Sequence, residues 1–367
     1  MRANTSLHWL AIVLAAVLFT AAGAQAASPR HKPVEKPATA ASTAAPTAAD
    51  KARVAALMQY QRDLVSVLAL RGDAEHLLGA ALLAHPLPNL PPELSFHRLA
   101  ERAAQAPDAG SGVTWIRLTD CDPKASDCPN ADMFAQLQSQ APDNAAVWML
   151  TMDDAAGKND AAGERDALSK AAASTKYDDY FGVGLQALAA SVVTLPPRPE
   201  TMTGAEPGEP STPAGVQLLI AFGIANQHPQ PSLKPLLEMC DVDKAAKDNA
   251  LKTDCLKTAH NLELGGSPLG RAVGMHLHGE LDPSAKAATD RDSLNLAWQL
   301  QNYGALGFNA LGDDNLAQKL LAGARNGGTE LGLVLSSLRE NGVATEAPDG
   351  WQPAQAQAAA PASSAGQ

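Results

Sequence analysis

Aromatic residues are scarce in this chain, at 4% of 367 residues. A core with few rings must close on small and aliphatic side chains, and those pack at short helix–helix distances. Alternating runs of β-branched residues are nearly absent, so the expected fold is all-α rather than sheet-based. A basic excess is missing too: 28 Lys and Arg stand against 39 Asp and Glu, for a formal net charge of −11. Binding to nucleic acid needs a basic stripe to neutralise phosphates, and adhesion to anionic lipid needs one as well. Nucleic-acid binding is not expected, adhesion to an anionic membrane is disfavoured, and the thinly spread acidity serves solubility. Beyond the amino-terminal segment, no stretch reaches the ~20 apolar residues of a membrane-crossing helix. Also missing are H-E-x-x-H, G-x-S-x-G and C-x-x-C, the local signatures of zinc hydrolysis, serine hydrolysis and thiol redox chemistry. No catalytic residue, cofactor or metal is assigned, and an enzyme is not the favoured reading.

What is present begins with an export pattern. Arg2 supplies a positive start, Leu10 to Thr20 form an apolar run, and Ala24-Gln25-Ala26 ends in small residues. This reads as a signal peptide over residues 1–26, cleaved after Ala26. The run is too short to cross ~30 Å of bilayer comfortably, which argues against an uncleaved anchor. No Cys follows it as a lipid acceptor. Loss of Arg2 moves the net charge from −11 to −12. Residues 27–48 read as a solvated linker and 344–367 as a disordered tail, with a helical body over 49–343. The expected location is the periplasm, or else the medium.

Within the body, Val54, Leu57, Met58, Leu64, Val65 and Leu68 recur at helical spacing, predicting a helix over 49–70. Further helices are expected over 74–84 and 93–106, and then in segments of roughly 10–18 residues. The long break is 195–213, which holds six prolines. Each removes an amide donor and clashes with the turn before it, so this is a loop or linker between two halves.

Gln105-Ala106-Pro107-Asp108 recurs as Gln140-Ala141-Pro142-Asp143, followed by Trp115 and Trp148 respectively. Pro142 lies six residues before Trp148, with Leu168 and Ala171 on the next helix. Over about 105–175 this resembles the tetratricopeptide (TPR) repeat, a 34-residue helical hairpin. The chain departs from that pattern at Met152, Ala155 and Glu164. The resemblance implies hairpin stacking as in an α-solenoid, and no particular ligand.

A longer similarity relates 95–190 to 214–320. From Cys128 and Cys255 onward, Leu137 aligns with Leu264, Ala145 with Ala272, Leu150 with Leu277, Tyr177 with Tyr303 and Phe181 with Phe308. Arg165-Asp166-Ala167-Leu168 aligns with Arg291-Asp292-Ser293-Leu294, all at offsets of 126 or 127. This reads as an internal duplication.

Four cysteines in an exported chain favour disulfides. The expected pairs are local, Cys121 with Cys128 and Cys240 with Cys255, at similar places in the two halves. Zinc is disfavoured, because its sites use C-x2–4-C spacing.

Other candidates read as structural. His276 and His278 diverge by about 200° on a helix and cannot share an ion unaided. Gly182-Val183-Gly184 imitates a dinucleotide fingerprint, but Tyr177 to Ala190 reads as continuous helix, so the glycines serve helix contact. Tyr177, Asp178, Asp179 and Tyr180 are the candidate partner surface. A cleft gathering His260, His276, His278, Asp178 and Asp179 would favour chemistry or a ligand. The expected function is a protein-binding or scaffold module for an envelope component. The alternative is a small-ligand binder or enzyme with its site in the groove between the halves.

Overall fold

The computed structural model describes residues 47–120, 130–203, 205 and 208–353, and of 130 and 131 the backbone only. The signal segment, most of the linker, Cys121, Cys128 and residues 354–367 lie outside the described residues.

Among the described residues there are sixteen α-helices and no strand. The first five are α1 (Ala48–Leu68), α2 (Ala74–Ala84), α3 (Phe96–Gln105), α4 (Ser111–Thr119) and α5 (Asn130–Gln140). They are followed by α6 (Ala145–Gly157), α7 (Ala161–Ala173), α8 (Phe181–Val192), α9 (Pro213–Ala225), α10 (Lys234–Met239) and α11 (Val242–Ala245). The last are α12 (Asn249–Leu264), α13 (Pro268–Leu281), α14 (Lys286–Ala310), α15 (Asp314–Arg325) and α16 (Glu330–Glu340).

The starts are written in the sequence. Thr47 and Asp50 form a capping box at α1, and Asp73, Ser95 and Thr329 cap α2, α3 and α16 through a side-chain oxygen. Thr212-Pro213 and Ser267-Pro268 place a cap before a proline at the first helical position. Each such cap satisfies an amide that the helix cannot.

The helices pair as hairpins, α2 with α3, α6 with α7 and α12 with α13. Small residues set the spacing. A Cβ on Gly79 would lie 2.6 Å from the Ala187 carbonyl oxygen, and one on Gly274 would lie 2.6 Å from that of Ala259. Helix α8 is apolar on all sides and packs against α2, α9 and α15. It therefore joins elements about a hundred residues apart on either side. One continuous core includes residues from Tyr60 to Leu333. Arg165 of α7 meets Asp254 of α12 at 2.6 Å, and Asn261 donates to the carbonyls of Ala171 and Ser174. The α6/α7 and α12/α13 hairpins are thus held side by side. Trp148 Nε1 donates to the Pro142 carbonyl at 2.9 Å, fixing the entry to α6.

Cys240, at the end of α10, is bonded to Cys255 within α12, with Cα atoms 5.7 Å apart. The start of the proline-rich segment lies against α1, where Arg198 meets Asp63 at 2.6 Å. The buried Tyr60 hydroxyl donates to the carbonyls of Val192 and Leu195.

Three expectations need revision. Residues 177–180 are not helical: α8 starts at Phe181, because Asp178 accepts from the Tyr180 amide and Asp179 from the Phe181 amide. Where α7 stops at Ala173, the aligned α14 continues to Ala310, so Tyr177 lies in a turn and Tyr303 within a helix. Residues 344–353 are packed on α14 rather than forming a free tail. Trp298 Nε1 donates to the Ala344 carbonyl, the Ala347 amide donates to Asn295, and the rings of Trp298 and Trp351 meet edge to face at 5.3 Å.

Candidate functional site

The carboxyl ends of three helices converge on one cavity of about 240 Å³. Helix α2 brings Leu82, His85 and Pro86 to it, α4 brings Asp120, and the turn after α9 brings Gln227 and His228. The wall is the side of α8, where Phe181, Gly184 and Leu188 recur at helical spacing. Ile224 and Ala225 complete the apolar part. Elements from before and after the proline-rich 195–213 stretch of the sequence therefore meet here.

Asp120 is held as the residue after α4, its amide donating to the Ile116 carbonyl. His228 is held by its backbone amide, which donates to the Ala225 carbonyl at the end of α9. Their side chains are both buried and meet at 2.6 Å, His228 Nδ1 against Asp120 Oδ2. The carboxylate accepts from Nδ1, which leaves Nε2 facing the Thr119 hydroxyl at 3.4 Å. Thr119, His228 and Asp120 thus have the order of a hydroxyl, a base and an orienting carboxylate. The hydroxyl, however, also lies 3.0 Å from the Trp115 carbonyl and donates its proton there. It is engaged as a back-bond rather than poised as a nucleophile. The arrangement can recognise a polar group and is not built for acyl transfer.

The four residues anticipated as a partner surface form the entry to α8. Tyr177, Asp179 and Tyr180 lie inside the protein and only Asp178 is half-exposed. As a surface, then, the segment offers Asp178 alone. Tyr177 packs against Gly265 and Gly270, and burial holds its phenol well above its ordinary pKa. The Tyr180 hydroxyl donates to Ser111. The Asp179 carboxyl is 4% exposed, and its Oδ2 has no hydrogen-bond partner. Burial raises its pKa, against the opposing influence of the Ser267 hydroxyl and the Phe181 amide. Glu330, in the first turn of α16, is pushed up to about 8 by burial and by the Asp179 charge.

The histidines weighed in the sequence do not join this site. His278 meets Glu263 at 2.8 Å, His260 lies 3.8 Å from the same carboxylate, and His276 is exposed. Among the described residues no group of three His, Cys, Asp or Glu side chains could hold a metal ion. Gly182 and Gly184 serve contact: a Cβ on Gly182 would collide with the Gly328 carbonyl. Arg165 and Arg291 both bind other elements, through Asp254 and the Ala347 carbonyl respectively. Sequence reasoning missed Asp120 and His228, which lie 108 residues apart and form no local pattern.

No helix among the described residues is long and apolar enough to cross a membrane. No family model, curated protein or solved structure matches this chain.

Proposed function

We propose that this is an exported binding protein of the bacterial envelope that holds a small, mostly apolar ligand in the cavity beside α8. The observation that carries this reading is the buried Asp120–His228 pair on the wall of a mostly apolar cavity. Ligand sites are concave, largely apolar and oriented by a few convergent polar groups. At about 240 Å³ the space suits a molecule of amino-acid size. Its position where both halves contribute side chains is where the alternative sequence reading expected a site. The export pattern and the Cys240–Cys255 bond together support the periplasm as the compartment.

The test is native mass spectrometry of the oxidised full chain after incubation with a small-molecule extract of the periplasm. A bound mass should appear, and should be lost in Gln227→Trp, which places an indole over the mouth from an exposed position. Affinity capture of a stable protein partner, with no bound mass and no effect of Gln227→Trp, would instead favour the scaffold reading.

A further inference from the structure

Taking the cavity as a ligand site, we infer that it selects a small organic cation, an alkyl- or aryl-ammonium ion, over a carboxylate or phosphate of the same size. The argument is a count of donors and acceptors along the wall. Asp120 contributes a carboxylate, which accepts only. The Gln227 amide nitrogen spends one of its two protons on the Gly223 carbonyl at 2.8 Å, which leaves one neutral N–H donor and the amide oxygen as an acceptor. His228 has Nδ1 engaged by Asp120 and Nε2 turned to Thr119. No Lys or Arg lines the cavity, and His85 is solvent-exposed at its rim. A carboxylate ligand would meet acceptors without a dedicated cationic donor. An ammonium group would meet the partners it needs.

Two further features act in the same direction. The cavity lies at the carboxyl ends of α2, α4 and α9, which have 11, 9 and 13 residues. The aligned peptide dipoles give such ends a partial negative charge that favours cations. The Phe181 ring supplies a face on which an organic cation is attracted by the ring quadrupole.

A series of one shape and three charges tests this: phenethylamine, phenethyl alcohol and phenylacetate, titrated into the oxidised full chain by calorimetry at neutral pH. Phenethylamine should bind at least about tenfold tighter than the alcohol, and phenylacetate weakest of the three. The amine affinity should fall with added salt while that of the alcohol stays level. Asp120→Asn should bring amine and alcohol together. Because that variant also alters a buried pair, the salt dependence in the unaltered chain provides an independent reading. Equal binding of amine and alcohol, blocked by Gln227→Trp, would overturn the charge preference while leaving the cavity as the ligand site. Tighter binding of phenylacetate would overturn it as well. No binding by any of the three, together with the absence of any bound mass from the extract, would remove both readings.

Discussion

His228 and Asp120 meet at 2.6 Å across the gap between the end of α9 and the end of α4. Both side chains are under a tenth exposed, so each is the other's substitute for water. Removing one partner leaves the second buried and unmatched, which costs more than removing both. His228→Ala should therefore destabilise the chain by about 2–4 kcal/mol in urea unfolding, and Asp120→Asn by somewhat less. The double variant should cost less than the sum, with a coupling of about 1–3 kcal/mol. Strict additivity would show that the pair contributes nothing.

Two glycines should respond in opposite directions to the same substitution. A Cβ on Gly182 would stand on the Gly328 carbonyl oxygen, so the backbones of α8 and the loop before α16 must separate. Gly307, within α14, has nothing within 4 Å of its Cβ position. Gly182→Ala should cost about 2 kcal/mol or more, as overpacking against rigid backbone does. Gly307→Ala should stabilise by about 0.5–1 kcal/mol, because alanine is the better helix former. Thermal unfolding of the two variants beside the parent chain measures both.

Much of the fold was legible because apolar helical spacing and Pro and Gly breakers are local signals. The helices expected over 49–70 and 74–84 from apolar spacing and breakers stand as α1 (Ala48–Leu68) and α2 (Ala74–Ala84), and Thr47 and Asp73 cap them in the structure. The low aromatic content also foretold close packing on small side chains, as at Gly79 and Gly274. The start of α8 was misread because Tyr177 to Phe181 contains neither Gly nor Pro to stop a helix. What stops it is Asn144, which is buried and bonds the Asp178 backbone at both its amide and its carbonyl. The 344–353 segment looked like a tail because its composition is polar and Pro-rich. Its partners, Trp298, Gln299 and Asn295, lie 46 to 52 residues away. The cavity was illegible for the same reason: its polar pair spans 108 residues.

The Cys240–Cys255 bond closes a loop of 15 residues between α10 and α12. The chain-entropy model gives such a loop about 2–3 kcal/mol of stabilisation, through restriction of the unfolded chain. Replacing both cysteines with serine should lower the urea midpoint accordingly. Both sulfurs are buried, so reducing agent should act slowly on the folded protein and quickly once it unfolds. Mass spectrometry of non-reduced peptides should recover residue 240 joined to 255. A peptide joining Cys121 to Cys255 would refute the pairing.

Glu330 should make the protein less stable as the solution becomes alkaline. In the unfolded chain its carboxyl titrates near 4.5, and in the fold burial, then the Asp179 charge, hold the proton on to about 8. Folding thus takes up a proton between those values, and stability must fall as pH rises through that window and level off above it. The charge acting on Glu330 is that of Asp179 at the entry to α8, and Glu330 in turn helps raise the buried Tyr303 phenol of α14. The site joins α16 to the body, since the Leu331 amide donates to the Gly266 carbonyl at 2.8 Å. Glu330→Gln keeps the shape and removes the titration. It should raise stability at pH 8 by on the order of 1–2 kcal/mol and leave it nearly unchanged at pH 4.5. Urea unfolding of both proteins across that range checks the sign. A parent chain whose stability rises from pH 5 to pH 8, by an amount that Glu330→Gln abolishes, would mean that the ionised carboxylate is the form the fold prefers.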